Sequence, residues 1–211
     1  GYSHFMLKEI FEQPKAVADT LIGRLSDNAQ IELDELHMSD AEIKRLKKIV
    51  VIACGTAYHA GMIAKYVIEK WAKISVEVEI ASEYRYRDPI IDSQTLVIAI
   101  SQSGETMDTL MAIRHAKAAG ARVLAICNTN SSTIPRESDA VLYTHAGPEI
   151  AVASTKALLT QIVAVDLIGL HLAQVRGELS DGQVHDLYNE MLELPGKIEQ
   201  ILETVEPLRE L

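Results

Sequence analysis

Thr95-Leu96-Val97-Ile98-Ala99-Ile100-Ser101-Gln102-Ser103-Gly104-Glu105-Thr106 is the stretch that decides the fold. Its first half is an apolar run with no polar alternation, as expected of a strand covered on both faces. From Met107 to Ala119 the pattern turns helical and is closed by Gly120. A hydroxyl-rich, Gly-containing turn therefore joins the C-terminal end of a buried strand to the N-terminus of a helix. Unpaired backbone N–H groups and the positive end of a helix dipole make such a place an anion site. The turn has no Lys and does not match G-x-x-x-x-G-K-[ST], which argues against a nucleotide P-loop. The hydroxyls of Ser101, Ser103 and Thr106, the amide of Gln102 and the free N–H groups suit a phosphate ester on a polyhydroxylated carrier. The same residues also read as a Ser N-cap on a tight turn.

Four further apolar runs flank this one, at Ile49–Ala53, Val76–Ile80, Val123–Cys127 and Ala140–Tyr143. Between them lie helical or mixed segments. From Ala60, the residues Ala60, Ile63, Ala64, Val67, Ile68 and Trp71 fall on one helical face. Alternating strands and helices predict an α/β protein, a three-layer αβα sandwich around a five-stranded parallel sheet. In the flavodoxin-like order 2-1-3-4-5 the first and third strands are neighbours, and the switch point lies between them. The loop after the first strand, Cys54-Gly55-Thr56-Ala57, then opens beside Ser101–Thr106 at the C-terminal edge of the sheet. Both loops carry hydroxyls and N–H groups that can converge on one ligand. A third segment, Glu149-Ile150-Ala151-Val152-Ala153-Ser154-Thr155-Lys156, leads into a long helix. Ser154 and Thr155 read as N-cap residues. If the segment passes over the crevice, the Val152 backbone and the Ser154 hydroxyl reach ligand hydroxyls. Lys156 reads as a solvated first-turn residue.

Around this centre the chain adds helices at both ends. Met6–Phe11 and Pro14–Leu25 look helical, and Asp27–Asp40 reads as a polar connector. After the long helix comes an amphipathic one over Asp181–Glu203, interrupted at Pro195-Gly196. The expected divisions are 1–45 (N-terminal helices and connector), 46–178 (ligand-binding α/β domain) and 179–211 (C-terminal helix). The stretch Ala157–Leu172 is apolar nearly all round, so it needs cover on several sides, expected from a partner subunit or a further domain, with the N-terminal helices of this chain as the alternative. It carries Gln161, Asp166 and His171. An aspartate mid-span costs about 2.5–3.5 kcal/mol in a bilayer, so a buried helix is the better reading than a membrane span.

The chain has 211 residues, 48% apolar and 24% charged, with a net charge of −10. That balance fits a globular protein and speaks against a nucleic-acid surface. Cys54 and Cys127 lie at strand ends without C-x-x-C or metal spacing, as reduced thiols of a cytoplasmic protein would. The histidines form no H-x-x-x-H or H-E-x-x-H pattern, so no metal and no cofactor is expected. His115 and His171 read as helix-surface residues. Glu83-Tyr84-Arg85-Tyr86-Arg87-Asp88 reads as a turn with a satisfied ion-pair cluster. No signal peptide is visible.

Taken together, Cys54-Gly55-Thr56, Ser82–Arg87, Ser101–Thr106, Cys127-Asn128 and Val152–Lys156 resemble the sugar isomerase (SIS) domain family. More narrowly they are similar to the first SIS subdomain of the glutamine–fructose-6-phosphate aminotransferases, or glucosamine-6-phosphate synthases, in bacterial wording. His4–Ile10 and Glu12-Gln13-Pro14 resemble the start of that isomerase half. The resemblance covers essentially the whole chain. It implies a sugar-phosphate pocket made of Thr56, Ala57, Ser101, Gln102, Ser103, Thr106, Val152 and Ser154. Ser101, Ser103 and Thr106 would hold the phosphate, Gln102 and Thr56 would lie near it or the sugar chain, and Val152 and Ser154 would touch sugar hydroxyls. Ala57 departs from the Ser commonly found there.

The family makes glucosamine 6-phosphate and glutamate from fructose 6-phosphate and glutamine, towards UDP-N-acetylglucosamine. Its glutaminase Cys, Schiff-base Lys, proton-shuttling Glu and ring-opening His would lie outside these 211 residues. The resemblance therefore implies a substrate-binding stretch with no catalytic residue of its own. Fructose, glucose and glucosamine 6-phosphates are the implied ligands. A homodimer is the implied assembly, with no nucleic-acid or membrane partner. A stand-alone sugar-phosphate isomerase and a non-catalytic sugar-phosphate sensor of the same fold remain the alternatives.

Overall fold

The structure, a computed structural model, describes residues 1–205, so the end of the expected C-terminal segment, 206–211, lies outside the described residues. Two short helices come first, α1 (Phe5–Phe11) and α2 (Gln13–Leu21). Pro14 stands in the first turn of α2, where its missing N–H costs nothing. The second helix stops at Leu21 rather than Leu25, because Leu25 leaves it to pair with Ile31 in an antiparallel bridge. The connector that follows is less polar in effect than its composition. It buries Ile31, Leu33 and Leu36 and carries a short 3-10 turn, Asp34–Leu36. Next comes α3 (Asp40–Arg45), started by a capping box in which Ser39 and Glu42 satisfy each other's backbone N–H groups.

The α/β core then runs β1 (Lys48–Ala53), α4 (Thr56–Ala72), β2 (Ser75–Ile80), α5 (Ala81–Arg87), β3 (Thr95–Ser101), α6 (Met107–Ala118), β4 (Arg122–Cys127), α7 (Thr133–Glu137) and β5 (Ala140–Tyr143). All five strands are parallel, in the order β2-β1-β3-β4-β5. The expected α/β sandwich and strand order are both observed. After the sheet come α8 (Lys156–Arg176), α9 (Asp181–Leu192) and α10 (Leu194–Glu203). The expected 181–203 helix breaks at Glu193, two residues before Pro195, because Pro195 occupies the first turn of α10.

The two-residue period of a strand distributes the core. Ile49, Val51 and Ala53 of β1 and Leu96, Ile98 and Ile100 of β3 face one layer, with α4 and α8. Val50 and Ile52, with Val97 and Ala99, face the other, where Tyr84 of α5, Leu110 and Ile113 of α6 and Ile134 of α7 lie. Both faces are dry, which is why these strands read as continuous apolar runs.

On α4 the buried residues are Ala60, Gly61, Ala64, Ile68 and Ala72, while Ile63 is exposed. The small residues let α4 lie close to the sheet and to α8, which rotates the buried face away from Ile63. A Cβ on Gly169 of α8 would come within 3.1 Å of Val67 Cγ1 and 3.2 Å of Trp71 Cε3, so the α4–α8 crossing is close-packed at that point. The cover expected for α8 from a partner or a further domain comes instead from this chain. Val17 and Leu21 of α2, Ile43 of α3 and Val184 and Tyr188 of α9 join the same buried cluster. The segment 1–45 thus shares a core with the sheet. This helix is long and apolar enough to cross a membrane, but 61% of the apolar window is buried inside the protein, as in a core helix. His171 on α8 is not a surface residue: its Nδ1 lies 3.1 Å from the Ile31 carbonyl, and burial holds its pKa below the usual imidazole range. His115 is likewise half-buried, edge-on to the Tyr84 ring.

Residues 83–87 form most of α5 rather than a turn, and Asp88 caps its end. Arg87 pairs with Glu79 at 2.5 Å and Glu77 at 3.4 Å, so the ion-pair reading of this stretch holds.

Candidate functional site: a hollow at the sheet switch point

The C-terminal ends of β1 and β3 are neighbours, Ala53 lying opposite Ile100. The loops leaving them diverge to opposite faces of the sheet, one into α4 and the other into α6. A polar hollow of 220 Å³ opens between them. Its lining includes Thr56 and Ala57 from the first loop, Ser101, Gln102, Ser103 and Thr106 from the second, and Val152 and Ser154 from the segment before α8. All eight residues singled out from the sequence are therefore brought together. Cys54, Ile100, Glu149, Ala151 and Gln161 complete the lining, and sequence reasoning assigned none of these five to the site.

The Ser101–Thr106 turn is shaped by its own hydroxyls. Gly104 N donates to Ser101 Oγ at 3.1 Å, Glu105 N donates to Ser103 Oγ at 3.2 Å, and the Ser101 and Thr106 hydroxyls lie 3.3 Å apart. Gly104 has φ +68°, and a Cβ there would sit 1.9 Å from Ser132 Oγ and 2.8 Å from Cys127 Sγ. Glycine is thus required twice, by conformation and by space. Glu105 turns away from the hollow and accepts from Thr133 N at 2.8 Å. Hydrogen bonds from Thr133 hold its carboxyl below the usual range. Ile134 N donates to Gly104 O at 2.9 Å and Asn128 N to Gln102 O at 3.3 Å, which ties the turn to α7 and to the end of β4. Cys127 is part of this buttress, and burial pushes its thiol pKa up.

No side chain caps α6 at Thr106 or α4 at Gly55. The Ser N-cap reading of the turn therefore fails: the hydroxyls serve the turn itself, and the first N–H groups of two helices remain available beside the hollow. The third helix end differs. Ser154 and Thr155 do not cap α8. Glu149 does so, its Oε1 accepting from Thr155 N at 2.8 Å and Ala157 N at 3.2 Å, while Ser154 Oγ donates to Oε2 at 3.1 Å. A carboxylate at a helix N-terminus is well placed against the dipole, and it turns the Ser154 side chain to a fixed position at the rim. Val152 stands fully exposed at the crest of the segment.

Lys156, expected in solvent, is only 3% exposed and pairs with Glu12 at 2.7 Å, because α2 packs beside the start of α8. Gln161, one turn into α8, is 2% exposed, and its side-chain amide makes no hydrogen bond to the described residues. The periodicity of an apolar helix marks such a Gln as anomalous, but only the packing shows that it borders the hollow. Among the described residues no group of His, Cys, Asp or Glu has the geometry to hold a metal.

A profile of the SIS domain family matches residues 42–170. The chain is 63% identical over its whole length to the glutamine–fructose-6-phosphate aminotransferase (isomerizing) of Streptomyces coelicolor and covers 34% of that protein. It is 58% identical to the Corynebacterium diphtheriae enzyme of the same name over 98% of this chain and 33% of that one. The chain thus spans about a third of the length of the curated relatives it matches. Among solved structures, the C-terminal domain of the glucosamine-fructose-6-phosphate aminotransferase of Francisella tularensis superposes with a TM-score of 0.86 at 45% identity, over 93% of this chain and 55% of that one. The glucosamine-6-phosphate deaminase of Thermotoga maritima shares the fold, with a TM-score of 0.65 at 19% identity over 90% of this chain and 54% of that one.

Proposed function

The chain belongs to the SIS domain family, and we propose that its hollow binds the phosphate and hydroxyls of fructose 6-phosphate as part of a longer isomerising aminotransferase. The observation that carries this reading is the convergence of Thr56 and the Ser101–Thr106 turn on one polar hollow beside two helix N-termini that no side chain caps. A hydrogen bond to a charged group contributes roughly 1.5–3 kcal/mol, so a few of them outweigh the diffuse repulsion of an acidic protein. The hydroxyls of Ser101, Ser103 and Thr106, with the uncapped N–H groups at the start of α6, take the phosphate. Thr56, Gln102 and the Ala57 N–H lie beside it. Val152 and Ser154 meet the sugar hydroxyls, with Gln161 as a further polar contact from below.

Among the residues lining the hollow, Glu149 is the one carboxylate, and it is engaged by the N-terminus of α8. The hollow therefore orients substrate, and the proton transfers and nitrogen delivery belong to other parts of the whole protein. Within the chain, 46–178 is the sugar-phosphate domain, 1–45 its N-terminal support, and 179–211 the link towards a second SIS subdomain. The whole protein converts fructose 6-phosphate and glutamine into glucosamine 6-phosphate and glutamate in the cytoplasm, for UDP-N-acetylglucosamine. Met62, Ile63 and Tyr66, exposed on α4, support an assembly such as a homodimer.

Calorimetric titration of the chain with fructose 6-phosphate and with inorganic phosphate tests the reading. Binding near millimolar, about −4 kcal/mol, is expected for the sugar phosphate. Ser101→Ala and Thr106→Ala should each weaken it by about ten-fold or more. Unchanged affinity in both variants sinks the assignment, and turnover by the chain alone favours a stand-alone isomerase.

A further inference from the structure

The segment that brings Ala151, Val152 and Ser154 to the hollow has no regular structure, and among the described residues no backbone–backbone hydrogen bond ties residues 148–154. Side chains hold it instead. Glu149 fastens its C-terminal end to α8. At its middle the Glu9 carboxylate, only 2% exposed, accepts from Ile150 N at 2.5 Å and from Ala151 N at 3.3 Å. Glu9 belongs to α1. Three residues on, on the same side of the chain, Glu12 takes the buried ammonium of Lys156 at 2.7 Å. The N-terminal helices thus grip the segment at its centre and at the residue where α8 begins.

A buried carboxylate is costly unless hydrogen bonds compensate it. The two amides of the segment are the partners Glu9 has among the described residues. Behind the segment lies a cavity of 380 Å³ bordered by Phe5, Lys8, Glu9, Glu12, Ile150 and Lys156. With no backbone ladder to fix the segment, these few polar ties help set where Val152 and Ser154 stand.

We infer that Glu9, outside the family-matched region 42–170, is a positioning residue for ligand: it sets the 149–154 segment over the hollow, and displacing α1 lowers affinity for the carbohydrate while sparing the phosphate end. This rests on the sugar-phosphate reading of the hollow. The phosphate is held by the Ser101–Thr106 turn, which α7 and β4 buttress without help from α1. The sugar hydroxyls depend on the segment that Glu9 holds.

The test uses the whole chain, Glu9→Ala and Glu9→Gln, titrated with fructose 6-phosphate and with inorganic phosphate, alongside amide hydrogen exchange. In Glu9→Ala, exchange at Ile150 and Ala151 should quicken and fructose 6-phosphate affinity should fall at least ten-fold. Phosphate affinity should stay within two-fold. Glu9→Gln, which keeps one acceptor for Ile150 N, should recover most of the loss. Undiminished fructose 6-phosphate binding by Glu9→Ala overturns the proposal. So does an equal loss for both ligands, because Glu9 would then support the fold as a whole. If the unsubstituted chain binds neither ligand, the reading of the hollow itself has failed and the proposal falls with it, a failure seen before any substitution is made.

Discussion

Gly104 concentrates the site's requirements in one residue. Its positive φ reverses the chain at the end of β3, and its missing Cβ leaves the room that Ser132 and Cys127 occupy. Gly104→Ala should therefore cost about 2–4 kcal/mol by urea denaturation and abolish phosphate binding with it. A variant as stable as the parent refutes the packing described. Asp166 is a second residue with a legible consequence. Burial in α8 pushes it up from 3.8 to about 7, and its Oδ1 has no partner among the described residues. The folded state thus holds the proton more tightly than the unfolded chain. That stabilisation is complete below about pH 4 and is lost as pH rises through 7. Between pH 5 and 8 the parent should lose roughly 1–3 kcal/mol relative to Asp166→Asn, and parallel pH profiles would refute it. Sequence reading marked Asp166 only as too costly for a bilayer. That its Oδ1 has no partner among the described residues depends on which neighbours surround α8, and no local pattern encodes them.

The helix pair α4 and α8 shows what element-scale packing adds. Each had a recognisable apolar pattern, yet the buried face of α4 is set by Ala60, Gly61, Ala64 and Ala72 rather than by the bulkier Ile63. Large residues advertise a face in sequence, whereas close approach is made by small ones. Gly169→Ala should change stability by less than about 1 kcal/mol, since its helix-propensity gain of about 1 kcal/mol offsets a tight contact. Gly169→Leu should cost about 3 kcal/mol or more. Equal effects of the two, measured by chemical denaturation, would show that the crossing is not close. The strands were read within a residue of their observed ends; for β1, β3 and β4 the reason is that strands dry on both faces leave an unmistakable apolar run. The cap of α8 was misread for the opposite reason. Ser154 and Thr155 are good N-caps in isolation, but Glu149, folded back from five residues upstream, satisfies those N–H groups better.

At the scale of the molecule, the matched region 42–170 is not self-sufficient. Val17 and Leu21 before it, and Val184, Tyr188 and Met191 after it, are buried against the same core, and Tyr188 Oη donates to the Leu21 carbonyl at 2.6 Å. A chain trimmed to 42–170 should bind a hydrophobic dye and unfold without a cooperative transition, and a sharp two-state melt would disprove this. By itself the sequence determined the strands, their parallel sense and the two Gly-hydroxyl turns that flank the switch point, each from local signals: a two-sided apolar run, a Gly-hydroxyl turn, a right-handed crossover. The full set of eight residues that meet at the hollow came from those turns together with the family resemblance. Tertiary structure alone decided that α8 is covered from within the chain, that Lys156 is buried against Glu12, and that Glu9, about 140 residues away in sequence, holds the segment over the hollow. Charged groups carry no periodicity, and their partners are chosen by the three-dimensional balance of desolvation against hydrogen bonding, which exists only once distant parts of the chain have met.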